Sequence, residues 1–242
     1  MKNHLKRLAV PRTWKIKRKG IVFITRPNTL GNPLPFALPL NVVFRDVLKY
    51  AKTTKEVKSI LQEKEIFVDG RRKKDHQDAV GLFAVLSIPL LKEHFRLVFD
   101  ALGRLTLIAI DEKEATHKVR KLIGKTVVKG NKIQLHFNDG TNVLVSQGEQ
   151  AEHHVGDSAL FDLKTSKMSK RLPFQKGVSV YLIGGKHMGA LGTVETVSGE
   201  SFLFKAADGH TFSTPRQYAF VVGAEKPLIT LGFQKHTKQD DK

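Results

Sequence analysis

The first forty residues hold nine lysines and arginines and no aspartate or glutamate, and no acid appears before Asp46. Lys2, Lys6, Arg7, Arg12, Lys15, Lys17, Arg18, Lys19 and Arg26 are spaced among Pro11, Gly20 and Pro27, with the chain's one tryptophan, Trp14, between them. A segment this short and this punctuated by turn-formers cannot close a core of its own. Its uncompensated charge repels itself and favours an extended form until a dense anion neutralises it. The anion with enough charge per unit length is a nucleic-acid backbone, which releases counterions when lysine and arginine replace them. The plainer alternative is a solvated, disordered tail.

The arm carries half of a net charge of +18, and the rest of the 242-residue chain is also basic: +3 over 41–100, +4 over 101–172 and +2 over 173–242. There is no cysteine, so disulfides and thiolate metal sites are excluded. No apolar run reaches the length of a membrane span, and Ile21–Ile24 is too short for a signal peptide. These features lead us to expect an intracellular, cytoplasmic protein with no membrane partner.

Four prolines between 27 and 39 make an extended linker. Val43, Phe44, Val47, Leu48 and Ala51 then recur at helical spacing, and Thr53 with Glu56 forms a capping box that opens a second helix with Val57, Ile60 and Leu61 on its apolar face. Ile66–Val68 reads as a strand ending at Asp69-Gly70, followed directly by Arg71-Arg72-Lys73-Lys74; Ala79–Ile88 reads as one further strand stopped by Pro89. Strands are predicted at 95–99 and 105–110, a short helix in the polar stretch 111–121, and strands at 127–128, 133–137 and 143–145. Strands at 178–183, 193–197, 202–204, 211–212 and 219–222 complete a second small barrel, before a polar tail that is expected to fray. The resulting expectation is an α+β, multi-module chain: an arm and linker over 1–40, a two-helix basic module over 41–100, a central β-rich block over 101–172, a barrel over 173–232 and a tail over 233–242.

Chemistry is scarce. The ten histidines include no His-Glu-x-x-His pair, and Gly124-Lys125-Thr126 lacks the upstream glycine of a phosphate loop, since Val119 stands there. Asp111, Glu112 and Glu114 read as a solvated face. No nucleophile, metal set or cofactor is nominated, so no enzyme and no small-molecule substrate are expected. Basic side chains beside turns and helix ends are what remains. Lys49, Lys52, Lys55 and Lys58 lie on or near the two helices, and four like charges at Arg71–Lys74 repel each other without a partner. Residues 163–194 are also free of acids, and their loop Gly184-Gly185-Lys186-His187-Met188-Gly189 has so few side chains that its backbone can approach another surface, or else simply turns a hairpin.

Residues 176–194 resemble a KOW motif, found in small SH3-like barrels, and residues 41–100 resemble the S-four RNA-binding domain. From Lys2–Leu8, Pro11 and Trp14 through Leu38–Leu40, Leu48–Tyr50, Val68–Gly70, Phe95–Asp100, Lys125–Leu135 and Val155–Ser158 to Gly184–Gly189, the chain resembles the "S-four-e" family of small-subunit ribosomal proteins, in its archaeal form. Ala190 and Val178 depart from the usual pattern, where relatives commonly carry lysine and KOW motifs an acid. The resemblance implies a basic extension, an S-four-like domain, a central β-barrel-like domain and a KOW SH3-like barrel. It implies a structural constituent of the small ribosomal subunit, partnered by small-subunit rRNA and neighbouring ribosomal proteins and not a homo-oligomer. The expected RNA-binding residues are Lys2, Lys6, Arg7, Arg12, Trp14, Lys15, Lys17, Arg18, Lys19, Lys49, Lys52, Lys55, Arg71, Arg72, Lys73, Lys74, Lys186 and His187. Trp14 fits either base stacking or anchoring of the arm. The competing readings are an accessory transcription or translation factor acting through its KOW barrel and, further off, an RNA-modifying enzyme guided by its S-four-like module.

Overall fold

The computed structural model describes residues 4–29, 31–130, 132–146, 153–206 and 209–232. Lys2, Asn131 and the tail after Gly232 lie outside them. Over the described residues the chain is mostly β, with one ten-residue helix and a shorter helical segment. Strand thus outweighs helix more than the α+β expectation supposed.

The arm is folded against the rest of the chain. Strands β1 (Leu5–Lys6) and β2 (Phe23–Ile24) pair antiparallel, and Val10, Trp14 and Ile24 are buried. The indole Nε1 of Trp14 donates to the Leu34 carbonyl at 3.2 Å, and Leu105 N donates to the Thr13 carbonyl at 2.6 Å. The expectation of an extended arm fails because the arm carries its own apolar anchors and spends part of its charge internally. Arg18 donates to the carbonyls of Leu8 (3.2 Å), Val10 (3.3 Å) and Pro11 (3.2 Å), closing the arm into a loop. Arg7 donates to the Lys17 carbonyl and, at 3.0 Å, to Asp46, the first acid in the chain.

Beyond the linker, β3 (Ala37–Pro39) leads into α1 (Leu40–Val42), which widens into a π-helical turn over Val43–Val47. Helix α2 (Thr54–Glu63) begins at the capping box: Glu56 N donates to Thr53 Oγ1 at 3.2 Å, while the Glu56 carboxylate accepts from Lys52 N at 2.7 Å. The strands β4 (Phe67–Val68), β5 (Arg71–Arg72), β6 (Ala79–Gly81), β7 (Val85–Ile88), β8 (Glu93–Phe99) and β9 (Leu105–Ala109) follow. One sheet runs in the order β5-β4-β7-β8-β9, and β6 pairs with β3.

Two expectations change here. The single strand over Ala79–Ile88 is two strands, broken where Phe83 takes a left-handed φ of 59°. A bulky residue is rarely found there; it is held by ring contacts with Tyr181 and Phe220, whose centroids lie 5.3 and 4.7 Å away. And β9, assigned from sequence to the central block, is hydrogen-bonded to β8 in the first sheet.

The predicted helix at 111–121 is a single 3₁₀ turn at Glu114–Thr116 followed by a long strand, β10 (His117–Val128). With β11 (Lys132–Phe137), β12 (Asn142–Val145), β13 (Ser158–Asp162) and β14 (Met168–Leu172), it forms a sheet ordered β12-β11-β10-β13-β14. This sheet has a small core of its own, built on Leu122, Ile133, Leu135, Phe137, Val145, Ala159 and Phe161.

The last sheet comprises β15 (Ser179–Leu182), β16 (Leu191–Ser198), β17 (Ser201–Ala206), β18 (Thr211–Pro215) and β19 (Ala219–Gly223), ordered β18-β17-β16-β15-β19. Its core is continuous with that of the first module. Tyr181 makes the join: its buried hydroxyl accepts from Phe99 N at 2.9 Å and donates to Phe99 O at 3.0 Å.

Candidate nucleic-acid interface

The basic residues divide into a buried set and an exposed set. Buried are Arg7, Arg96, Lys118, Arg120 and Lys121. Lys118 and Arg120 stand two apart on β10, so they share a face, and both reach Asp139 in the β11–β12 turn, at 3.1 and 2.7 Å. Lys118 also bridges to Asp69 of the first module at 2.7 Å, and the Arg120 guanidinium lies 4.3 Å from the centre of the Phe161 ring. Burial raises the Asp139 carboxyl, but the two cations and hydrogen bonds from Thr141 outweigh it and hold it at about 2.

Lys121 donates to the carbonyls of Arg216 (3.3 Å), Gln217 (2.9 Å) and Ala219 (2.6 Å), tying the central sheet to the last one. Burial, with the nearby Arg216 cation, pulls its ammonium down to about 8. Arg96 is fully buried and pairs with Glu114, whose carboxylate also accepts from Thr230 N and Oγ1, both at 2.6 Å. These cations are structural and cannot reach a phosphate. Sequence reasoning passed over this use of positive charge. Its one trace is the i, i+2 spacing of Lys118 and Arg120 in a segment that turned out to be a strand.

The exposed set holds most of the expected residues: Lys6, Arg12, Lys15, Lys17 and Lys19 on the arm, Lys49, Lys52 and Lys55 around the helices, and Arg71, Arg72 and Lys74 at β5. Strand β5 is at the end of its sheet, so one flank of its backbone is unpaired within that sheet. Arg72 approaches Glu65, two residues past α2, at 3.9 Å, which puts the basic turn beside the C-terminal end of that helix. Lys52 and Lys55 lie at the other end, about 15 Å away at 1.5 Å per residue. The spread suits a run of successive phosphates more than a single one. Lys49 sits in a left-handed turn with φ of 60°.

Other expected residues are placed elsewhere. Trp14 is 2% exposed, so its ring is an anchor and cannot stack on a base in this fold. Arg7 is buried, Arg18 is engaged by three carbonyls, and Lys73 is half-buried with Asp78 at 3.7 Å. Lys186 and His187 are exposed, the latter stacked on Phe212 with centroids 4.0 Å apart. Their glycine loop meets a surface of the same chain. A Cβ on Gly189, whose φ is +91°, would lie 2.5 Å from the Asp100 carbonyl oxygen, and Met188 packs on Gly103. The close approach available to this loop is therefore taken up by docking the last sheet on the β8–β9 turn.

Among the described residues, no group of three or more His, Asp or Glu could hold a metal ion, and no helix is long and apolar enough to cross a membrane.

Comparison with known proteins fits this geometry. The model of Ribosomal family S4e matches residues 91–168, and the RS4NT (NUC023) domain matches residues 1–29. Small ribosomal subunit protein eS4 of Methanococcus maripaludis is 37% identical over 240 residues, covering 95% of this chain and 98% of its own. The protein of that name from Methanocaldococcus jannaschii is 35% identical over the same coverage. The crystal structure of the 30S ribosomal protein S4e from Thermoplasma acidophilum superposes with a TM-score of 0.67 at 27% identity, covering 81% of this chain and 98% of that one. A likeness that runs through the arm and all the larger sheets at this identity is that of kin, and the chain belongs to the S4e family of ribosomal proteins.

Proposed function

We propose that this chain is a structural constituent of the small ribosomal subunit that binds and stabilises small-subunit rRNA, with neighbouring ribosomal proteins as its other partners. The observation that carries this reading is the division of charge. The acids of the interior are matched to buried cations, while exposed lysines and arginines crowd the folded arm, the start of α2 and the end strand β5. Such a surface neutralises phosphates on RNA helices that would otherwise repel one another. Contacts of this type go mainly to phosphate and sugar and read little base sequence.

In this reading the two-helix module with its β5-β4-β7-β8-β9 sheet is the S-four-like RNA-binding domain, and the last sheet is the KOW SH3-like barrel. Domain limits at 41–100, 101–172 and 173–232 then need one adjustment, since β9 belongs with the first. The chain supplies no catalysis; its role is positional. The competing factor reading, in which the KOW barrel binds a protein surface, has less of that barrel's glycine loop to work with, since Gly189 and Met188 are spent on an internal contact.

Sedimentation of cell extract through sucrose gradients at low and high salt tests the proposal. The chain is expected with small subunits at low salt and to be partly released as salt rises. Recovery at the top of the gradient under both conditions overturns it.

A further inference from the structure

The arm displays an apolar surface that RNA phosphates do not use. Leu8, Ile21, Val22 and Phe23 are 72, 62, 63 and 53% exposed, although β2 continues directly into the buried Ile24. Successive side chains of a strand point to opposite sides. Phe23 faces out where Ile24 faces in, and Ile21 and Val22, which precede the strand, are exposed as well, so this end of the hairpin stands clear of the core beneath it. The projection is nonetheless held in place. Arg7 N donates to the Val22 carbonyl at 2.9 Å, Arg18 grips the Leu8 carbonyl at 3.2 Å, and the His4 ring rests 5.5 Å from that of Phe23. A surface fixed in this way gives up little conformational entropy when it is covered.

We propose that this hairpin docks into an apolar, carboxylate-rimmed groove on a protein neighbour within the small subunit, an inference that rests on the ribosomal reading above. Three of the four side chains are aliphatic. They gain from apolar burial, which a protein groove offers and an RNA surface of phosphates, hydroxyls and base edges largely does not. The one aromatic ring, Phe23, already has His4 beside it. The rim specifies charge: Lys6 is cross-strand from Phe23, Lys19 is two residues from Ile21, and no acid precedes Asp46. A second copy of the chain would bring an equally acid-free arm against this one, which disfavours self-association.

The test places photoreactive p-benzoylphenylalanine at position 22 of the full-length chain, and in a second variant at Lys55 on the proposed RNA-facing helix. Subunits containing each variant are irradiated, and the adducts are digested with nuclease or protease. A protein adduct at 22, on a peptide with apolar residues and carboxylates, together with an RNA adduct at 55, is the expected result. An RNA adduct at 22, an adduct with a second copy, or none while 55 cross-links, overturns the inference and leaves the rRNA-binding reading standing. Absence of the chain from subunits defeats both. In parallel, Ile21→Ser/Val22→Ser/Phe23→Ser, which spares Ile24, is expected to weaken retention on subunits by at least about tenfold at every salt concentration. Unchanged retention also overturns the inference.

Discussion

Replacing Trp14 with alanine separates a folded arm from an extended one. The indole is 2% exposed and bonded to the Leu34 carbonyl at 3.2 Å, and the Trp14 backbone pairs with that of Leu105 in a single β-bridge, so truncation of the ring empties a buried volume between the linker and β9. An aromatic side chain of this kind buries about 150–250 Å², worth about 4–6 kcal/mol at about 25 cal/mol per Å². Part of that burial already exists in a compact unfolded chain. The net expectation is a loss of about 3–5 kcal/mol, the range of buried Trp→Ala changes. Trp14→Phe keeps most of the apolar volume and loses the hydrogen bond, so about 1–2 kcal/mol is expected. Urea unfolding of the RNA-free protein gives both numbers. Because the chain has one tryptophan, the wild-type fluorescence is an independent readout: emission shielded from iodide and acrylamide without RNA. Free quenching in the native protein, or a Trp14→Ala variant within about 0.5 kcal/mol of wild type, refutes the packed arm.

Two charged groups give pH signatures of the same sign in separate windows, stability rising with pH in each. Asp139 sits at about 2, below its unfolded value of about 3.9, so its contribution of about 2–3 kcal/mol is complete above roughly pH 4 and is lost as pH falls through 2. Asp139→Asn removes that acid-limb dependence and, by leaving buried Arg120 without its carboxylate and Lys118 with Asp69 alone, costs about 3–5 kcal/mol at neutral pH in the same urea assay. Lys121 is depressed to about 8 against about 10.4 unfolded, so the unfolded chain holds the extra proton between those values and stability rises with pH across that window. Lys121→Met is expected to flatten the rise, seen as thermal midpoints that no longer increase from pH 8 to 10. Gly189→Ala meets the Asp100 carbonyl oxygen at 2.5 Å with a positive φ and is expected to cost about 2–4 kcal/mol. Gly130→Ala, with positive φ but open space, is expected to cost about 1 kcal/mol by thermal melt. Lys15→Gln/Lys17→Gln/Lys19→Gln is expected to leave melting unchanged while lowering the salt slope of rRNA binding by about 2 to 3.

The parts of the fold legible in the sequence are those set by local signals. The Thr53–Glu56 box opens α2 where expected, and the glycine turns separate β10 from β11 and β15 from β16. What was not legible depends on partners distant in the chain. The polar stretch entering β10 reads as helix or loop until Asp69 and Asp139 are seen to receive its cations. The apolar run 79–88 reads as one strand because nothing nearby reveals that Phe83 turns toward Tyr181 and Phe220. Strands β13 and β14 lack any strong alternation and are held by pairing with β10 and with each other. Among the basic residues, exposure followed the sequence expectation where a lysine lay on a helix end or turn, except at Lys73, which leans on Asp78. It failed where an arginine, with its planar fork of donors, found backbone carbonyls instead, as Arg7 and Arg18 did.

The bond between Tyr181 and Phe99 spans 82 residues of sequence, and this separation orders events during synthesis. The first module emerges from the exit tunnel well before β15 and β19 exist, so the face of Phe83 that they cover is open for the whole interval in which the central sheet is being made. Contacts this distant are slow to close and leave the growing chain prone to misassociation. The basic arm precedes the first module in the chain and gives the unfinished polypeptide a strong positive charge, which disfavours contact between like copies until its last strands arrive.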